Sequence, residues 1–211
     1  MTVFEALRRR LSTRQFEPDT MLLSREQIEG LIRDACLSPS EFDLNPWVFI
    51  IVRDRERKEV LYQCCYRQQL VRDASASVII LGDTRGHLRA GEAVRSWVGQ
   101  GTVAAQDAPR LEASIRSAYE GSEWARILLA VRNTSFVAMS MMLLATERGI
   151  ATCPVVAFAE DALRRAFHIP ARYIPVLVLA LGMPSTAQPQ PVRSDTPAAV
   201  IFHEDMEGVE P

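Results

Sequence analysis

Histidine is scarce in this 211-residue chain. His87, His168 and His203 stand apart, with no serine or carboxylate constellation around them. That argues against a histidine-based relay or general acid–base site. The four cysteines, Cys36, Cys64, Cys65 and Cys153, form no CxxC pair and no zinc spacing, so no dithiol or metal motif is written into the sequence. Adjacent Cys64 and Cys65 rarely bridge each other, and reduced thiols of a cytoplasmic protein are the expectation. No charge of one sign dominates: 24 basic against 26 acidic residues leave −2 at pH 7. Nothing global therefore favours nucleic acid or an anionic membrane as partner. The phosphate-cradling GxGxxG and P-loop patterns are missing, as is Gly-x-Ser-x-Gly. No signal peptide is expected, because the N-terminus enters an arginine-rich helix. The most apolar helical stretch, Phe136–Ala145, reads as too short and too interrupted by Ser140 to cross a bilayer.

What is there suits a globular protein: 48% hydrophobic and 24% charged residues. The length fits one domain with a substantial core, or one that shares its core with a partner. No repeat or low-complexity tract is visible. Apolar spacing predicts a first helix over Val3–Arg10, with Phe4, Leu7 and Leu11 on one face. A second helix starts at Ser24, with Gln27 completing a capping box, and turns Ile28, Leu31, Ile32 and Ala35 inward. Trp47–Val52 reads as a buried strand, and Asp54 caps a charged helix reaching to about Cys64. The next strand is Ser77–Leu81, ending at Gly82-Asp83. Residues 84–130 are polar and helical with scattered anchors. Val131–Arg148 is then a helix apolar on almost every face, which must be buried all round; a chain of this size points to a partner subunit for that burial. Ala151–Phe158, a helix Glu160–Phe167 and a strand Tyr173–Leu181 follow. After Gly182 the chain turns proline-rich, with a last apolar run Ala198–Phe202 before an acidic tail.

The most informative stretch is residues 38–52, Ser-Pro-Ser-Glu-Phe-Asp-Leu-Asn-Pro-Trp-Val-Phe-Ile-Ile-Val. It is a polar, turn-rich loop running straight into an apolar strand, the kind of place where sites are built. The segment resembles the Pro-Ser-x-x-Asn-x-Gln-Pro-Trp signature of the nitroreductase family. Arg10-Leu11-Ser12-Thr13-Arg14-Gln15-Phe16 resembles that family's Arg-x-Ser-x-Arg-x-Phe phosphate motif. Cys153-Pro154-Val155-Val156-Ala157-Phe158 is similar to its flavin-facing segment. The three matches occur in order over nearly the whole chain.

The resemblance implies an α+β fold: a mixed, mostly antiparallel sheet flanked by helices, as a domain-exchanged homodimer with two interfacial FMN sites. Residues 1–211 would form a single domain. Within it, 84–130 would be a variable helical insertion, and 183–211 an extension that adds a strand to the partner subunit. The implied reaction moves two electrons from NAD(P)H to a nitroaromatic, quinone or similar small acceptor, by ping-pong hydride transfer. No catalytic side chain is required, since FMN carries the chemistry, and no metal is implied. Two rivals stand beside this reading: a flavin-binding protein without redox turnover, and a specialised flavin-fragmenting or dehalogenating member.

The same resemblance assigns residues. Arg10, Ser12 and Arg14 would take the FMN phosphate, for which the planar guanidinium is well suited. Arg193 would add a third cation, while Pro191 stands where the family has lysine. Pro39, Ser40, Asp43 and Asn45 occupy the ring loop. Asp43 departs from the usual Asn, because a carboxylate only accepts hydrogen bonds; ring contact and local capping of backbone amides are its alternatives. Arg67 and Gln68 lie where the family shows Asn and then, near Leu70, a lysine. Arg67 either replaces that charge or is solvated. From the other subunit, Pro154, Val155, Val156 and Ala157 would line the ring, with the backbone N–H groups of Val156 and Ala157 as donors.

Overall fold

A computed structural model describes residues 1–17 and 23–186. Four strands, β1 (Trp47–Val52), β2 (Ala76–Asp83), β3 (Ala151–Val155) and β4 (Tyr173–Gly182), form one sheet in the order β1-β2-β4-β3. Every neighbouring pair is antiparallel. Around the sheet lie α1 (Val3–Arg9), α2 (Arg25–Ala35), α3 (Arg55–Cys64), α4 (Gln69–Asp73), α5 (Ala90–Gly99), α6 (Ala108–Glu120), α7 (Glu123–Glu147) and α8 (Glu160–Phe167). The expected α+β class is what forms. Parallel pairing among the described residues is the single bridge Ser12–Thr152.

β2 is buried along its whole length, and its alternation explains the layers. Val78 and Ile80 face α2 and α7, packing with Leu31, Val137 and Met141. Ile79 and Leu81 point the other way, toward Leu61, Val71 and Leu163 of α3, α4 and α8. A central strand covered on both faces reads as an unbroken apolar run. Each large aliphatic side chain buried this way contributes about 1.5–3 kcal/mol. Proline is confined to tolerant places: Pro154 lies in the edge strand β3, and Pro175 pairs with Leu81 where the β2–β4 register shifts.

Local chemistry sets several boundaries as expected. Ser24 Oγ accepts from the Gln27 N–H and Gln27 Oε1 from the Ser24 N–H, closing the capping box of α2. Asp54 caps α3 through the Arg57 N–H at 3.0 Å. Other boundaries differ. α1 stops at Arg9 because Arg10 is extended at the C-cap. β2 runs through Gly82 and Asp83 instead of ending before them, since a Cβ at Gly82 would lie 2.9 Å from the Ala130 Cβ and carbonyl. The missing side chain lets α7 pass close to the strand. β3 ends at Val155, and residues 156–159 continue without regular structure.

The largest difference is α7. Ser122 caps it through the Ala125 N–H, so it begins eight residues before the expected Val131 and takes in the end of the 84–130 segment. At 25 residues it is long and apolar enough to cross a membrane, so the argument from shortness fails. Its packing decides the matter: it is a core helix lying on α2, β2 and β4. Nor is it buried all round within one chain, for Phe136 is 52% exposed. Helices α5 and α6 with the start of α7 enclose a second small core of Val94, Ile115, Tyr119 and Leu129, into which Leu44 of the ring loop inserts. Arg193, Pro191 and the run Ala198–Phe202 lie outside the described residues.

Candidate active site

The N-terminal motif is laid along the end of β3. Thr13 N–H donates to the Thr152 carbonyl at 2.9 Å, and Ser12 bridges Thr152. Phe16 is buried against Gly182, where a Cβ would come within 2.9 Å of its ring. These contacts leave Arg14 exposed, with a loose 3.4 Å bond from Nη1 to the Ser12 carbonyl. Arg10 is half-buried. Burial pushes the Cys153 thiol above its ordinary range, and the charges of Arg14 and Arg10 oppose that rise. Both guanidinium groups therefore stand close to the opening of β3. Arg10, Ser12 and Arg14 are thus placed near one another at the start of β3.

At the other end of β3, Val155 buries its side chain in the core, and the chain then turns outward. Val156 is 72% exposed and Ala157 is exposed too. Their backbone N–H groups meet no acceptor among the described residues. Gln68 Nε2 donates to the Ala157 carbonyl at 2.8 Å and to the Cys65 carbonyl at 3.0 Å. The Ala159 N–H returns to the Cys64 carbonyl. Gln68 thus fixes the turn that presents the two amides. Arg67 does not take part: its Nε donates to Gln63, one turn back on α3. Leu70 is buried in the core, so a charge there is excluded by packing.

The ring loop is a tight, strained structure held from several sides. Phe42, Asp43 and Asn45 all have positive φ, 52°, 53° and 46°. Asp and Asn tolerate that region, whereas for Phe42 it costs about 1–2 kcal/mol. Ser40 Oγ accepts from the Asn45 N–H at 2.9 Å. Asn45 Nδ2 donates to the Asp43 carbonyl and carboxylate, each at 3.2 Å. Asp43 therefore takes a side-chain amide as its local partner instead of capping backbone amides. The Glu41 N–H donates to Asn133 Oδ1 at 2.8 Å, tying the loop to α7. Pro39 is exposed at the loop's start.

Sequence reasoning missed the network beneath this loop. Asp83, 1% exposed, accepts from Arg172 Nε and Nη2 at 2.6 Å each, from Arg89 Nη2 at 3.0 Å, and from the Arg85 N–H. Arg89 Nη1 goes on to the Asn45 carbonyl at 2.7 Å. Burial opposes ionisation of Asp83, but the bonds from Arg172, the Arg85 amide and Arg89 outweigh it and hold the carboxyl below the usual range. Asn133 was also missed. Its signal was a polar Asn133-Thr134 pair inside an otherwise apolar helix.

A four-stranded antiparallel sheet, arginines at one end of β3 and unpaired amides at the other define a nitroreductase-like oxidoreductase fold. The nitroreductase family profile matches residues 7–183, and the chain belongs to that family. YodC of Bacillus subtilis, named as an NAD(P)H nitroreductase, is 29% identical over 178 residues, 84% of this chain and 87% of its own. The crystal structure of YdfN from the same organism, assigned as a nitroreductase, superposes with a TM-score of 0.88 at 26% identity, covering 95% of this chain and 98% of that one. An Exiguobacterium sibiricum protein with the same assignment was solved in complex with FMN; it gives 0.82 at 25% identity, covering 92% and 93%. The chain is an oxidoreductase with FMN as cofactor. Its donor set fits that group, with two arginines and a serine suited to a terminal phosphate, and free amides suited to a polar ring edge.

Proposed function

We propose that the protein is a cytoplasmic homodimer that passes two electrons from NADH or NADPH to a nitroaromatic, quinone or similar small acceptor. When bound, FMN supplies the redox chemistry; the chain binds, orients and shields it. Arg10, Ser12, Arg14 and Arg193 take the phosphate. The amides of Val156 and Ala157 hold the ring edge from one subunit, and Pro39, Ser40 and Asp43 cover the ring from the other. The observation that carries this reading is the exposed turn at Val156–Ala157, fixed by Gln68 and offering two N–H groups with no acceptor among the described residues. The second subunit is supported by the apolar surface of α1 and α7. The outer edge of β1, unpaired among the described residues and beside a groove of about 920 Å³ lined by Phe49, Ile51 and Phe167, supports the addition of a tail strand from the partner.

The rival of a flavin-binding protein without turnover loses part of its motive, because the Asp43 carboxylate is engaged by Asn45. Steady-state kinetics with both nicotinamides against quinone and nitroaromatic panels decides between the two. Donor and acceptor following one another at one site give parallel double-reciprocal lines. Intersecting lines argue for a ternary complex, and failure of both nicotinamides to bleach the bound flavin anaerobically supports the rival.

A further inference from the structure

We propose that a cavity between the turn after β2, the start of α7 and the start of β4 is a second ligand site, built for the phosphate group of a nucleotide. The cavity holds about 320 Å³ and is lined by Thr84, Arg85, Glu123, Arg126, Arg172 and Ile174. Its three arginines come from three separate places: the turn after β2, the first turn of α7, and the turn before β4. Like charges repel; Asp83 offsets Arg172, while Arg85 and Arg126 form no ion pair among the described residues.

Two of the three are already oriented. Arg172 is gripped by Asp83 through Nε and Nη2. Arg126 Nη1 donates to the carbonyls of Tyr119 at 3.0 Å and Glu120 at 3.2 Å. A guanidinium carries five N–H donors, so each keeps donors with no partner among the described residues. The Arg85 side chain has no partner there at all, although its backbone N–H is bonded to Asp83. Pinned forks lose little conformational freedom on binding, which favours a planar or tetrahedral oxyanion over loose counter-ions. Arg172 is offset by Asp83, which it shares with Arg89, so Arg85 and Arg126 stand against one lining carboxylate, Glu123. The remaining positive surplus suits an oxyanion. The aliphatic side of the hollow, Ile127 and Ile174, offers a surface for the ribose or base. The volume exceeds what a bare phosphate needs and falls at the low end of small-molecule sites.

The site stands independently of the redox reading, although NADPH is one source of such a phosphate and a separate nucleotide is the other. The test uses the FMN-loaded protein, with flavin absorbance confirming loading in every variant. Calorimetric titration with 2′,5′-ADP and with pyrophosphate is expected to show saturable binding that Arg85→Ala and Arg126→Gln each weaken tenfold or more. Adenosine, lacking phosphate, is expected not to bind. Arg172 is left unchanged, because its loss would disturb Asp83. Steady-state kinetics then separates the sources: a fall in kcat/KM for NADPH but not NADH in Arg85→Ala assigns the site to the donor's own 2′-phosphate. Loss of 2′,5′-ADP binding with both donors unaffected assigns it to a separate nucleotide. No saturable binding of either probe, or binding that neither variant weakens, overturns the site.

Discussion

Val156 shows how a residue can matter through its backbone alone. Its side chain is displaced from the core while its N–H meets no acceptor among the described residues, so side-chain and backbone changes should separate. Val156→Ala keeps the donor, and reduction by nicotinamide should stay within several-fold of the parent. Val156→Pro deletes the donor and fixes φ. Losing a hydrogen bond to a group whose charge changes is worth about 1.5–3 kcal/mol, or roughly ten- to a hundred-fold in rate. The comparison counts in variants that still hold FMN, and parent-like reduction of a flavin-loaded proline variant places the ring edge elsewhere. Asp83 acts through its charge instead. Asp83→Asn should cost about 2–3 kcal/mol at pH 7, below the usual 3–5 for a broken buried pair because Arg172 and Arg89 are each about a third exposed. The folded carboxyl titrates below its unfolded range, so this stabilisation is full above about pH 4 and fades as pH falls through the lower folded value. Denaturant midpoints of parent and variant should therefore converge in acid; a gap unchanged from pH 7 to pH 3 would refute the ionic account. Arg10, Ser12, Arg14 and Ser40 were legible because their motif spacing is local. Asp83, Arg89 and Asn133 were not, since their partners Arg172, Asn45 and Glu41 lie 89, 44 and 92 positions away in the chain.

At the scale of elements, what the sequence disclosed were the ends that carry their own chemistry. The Ser24 capping box and the Asp54 cap place α2 and α3, and the run Trp47–Val52 is β1 to the residue. α7 was read too short because composition changes near Val131 while the helix does not; its true start is the Ser122 cap, hidden in a polar stretch. β2 was also read too short, since glycine signals a strand end unless something packs against it. Here Ala130 does, which gives a sharp test. Gly82→Ala would set a Cβ 2.9 Å from the Ala130 Cβ and carbonyl oxygen, one of them backbone. Overpacking of this kind costs about 1–3 kcal/mol, and the shift would be felt on α7 at Asn133, one turn along from Ala130. The expected outcome is a lower thermal midpoint together with weaker FMN retention, because Asn133 carries the Glu41 amide of the ring loop. A fully stable, fully loaded alanine variant would mean that α7 is not seated against β2 as described.

Over the whole molecule, the surface that one chain leaves open is the remaining evidence for its assembly. Phe4 is 66% exposed and Leu7 is exposed beside it on α1, while α7 presents Phe136 outward. α1 and α7 are in contact. Large exposed apolar groups of this kind support the proposed interface. The site points the same way: arginines and amides without an acceptor among the described residues flank β3, yet the ring loop is anchored beneath by Arg89 and by Asp83 at the end of β2, two strands away in the sheet. One chain binding one flavin with both ends would need those parts adjacent, whereas two chains supply them in trans. The dimer should then be obligate, with about 2,000–5,000 Å² buried, as in interfaces that resemble a divided core. Phe4→Asp with Phe136→Glu places charge on that surface without touching a proposed flavin contact. In sedimentation at low micromolar protein, the double variant should shift toward monomer and release flavin in proportion, while far-UV circular dichroism retains helix content. Dimer dissociation and flavin loss must move together if each site draws on both chains. A monomer that keeps its FMN would confine the site to one subunit and sever the link between assembly and cofactor.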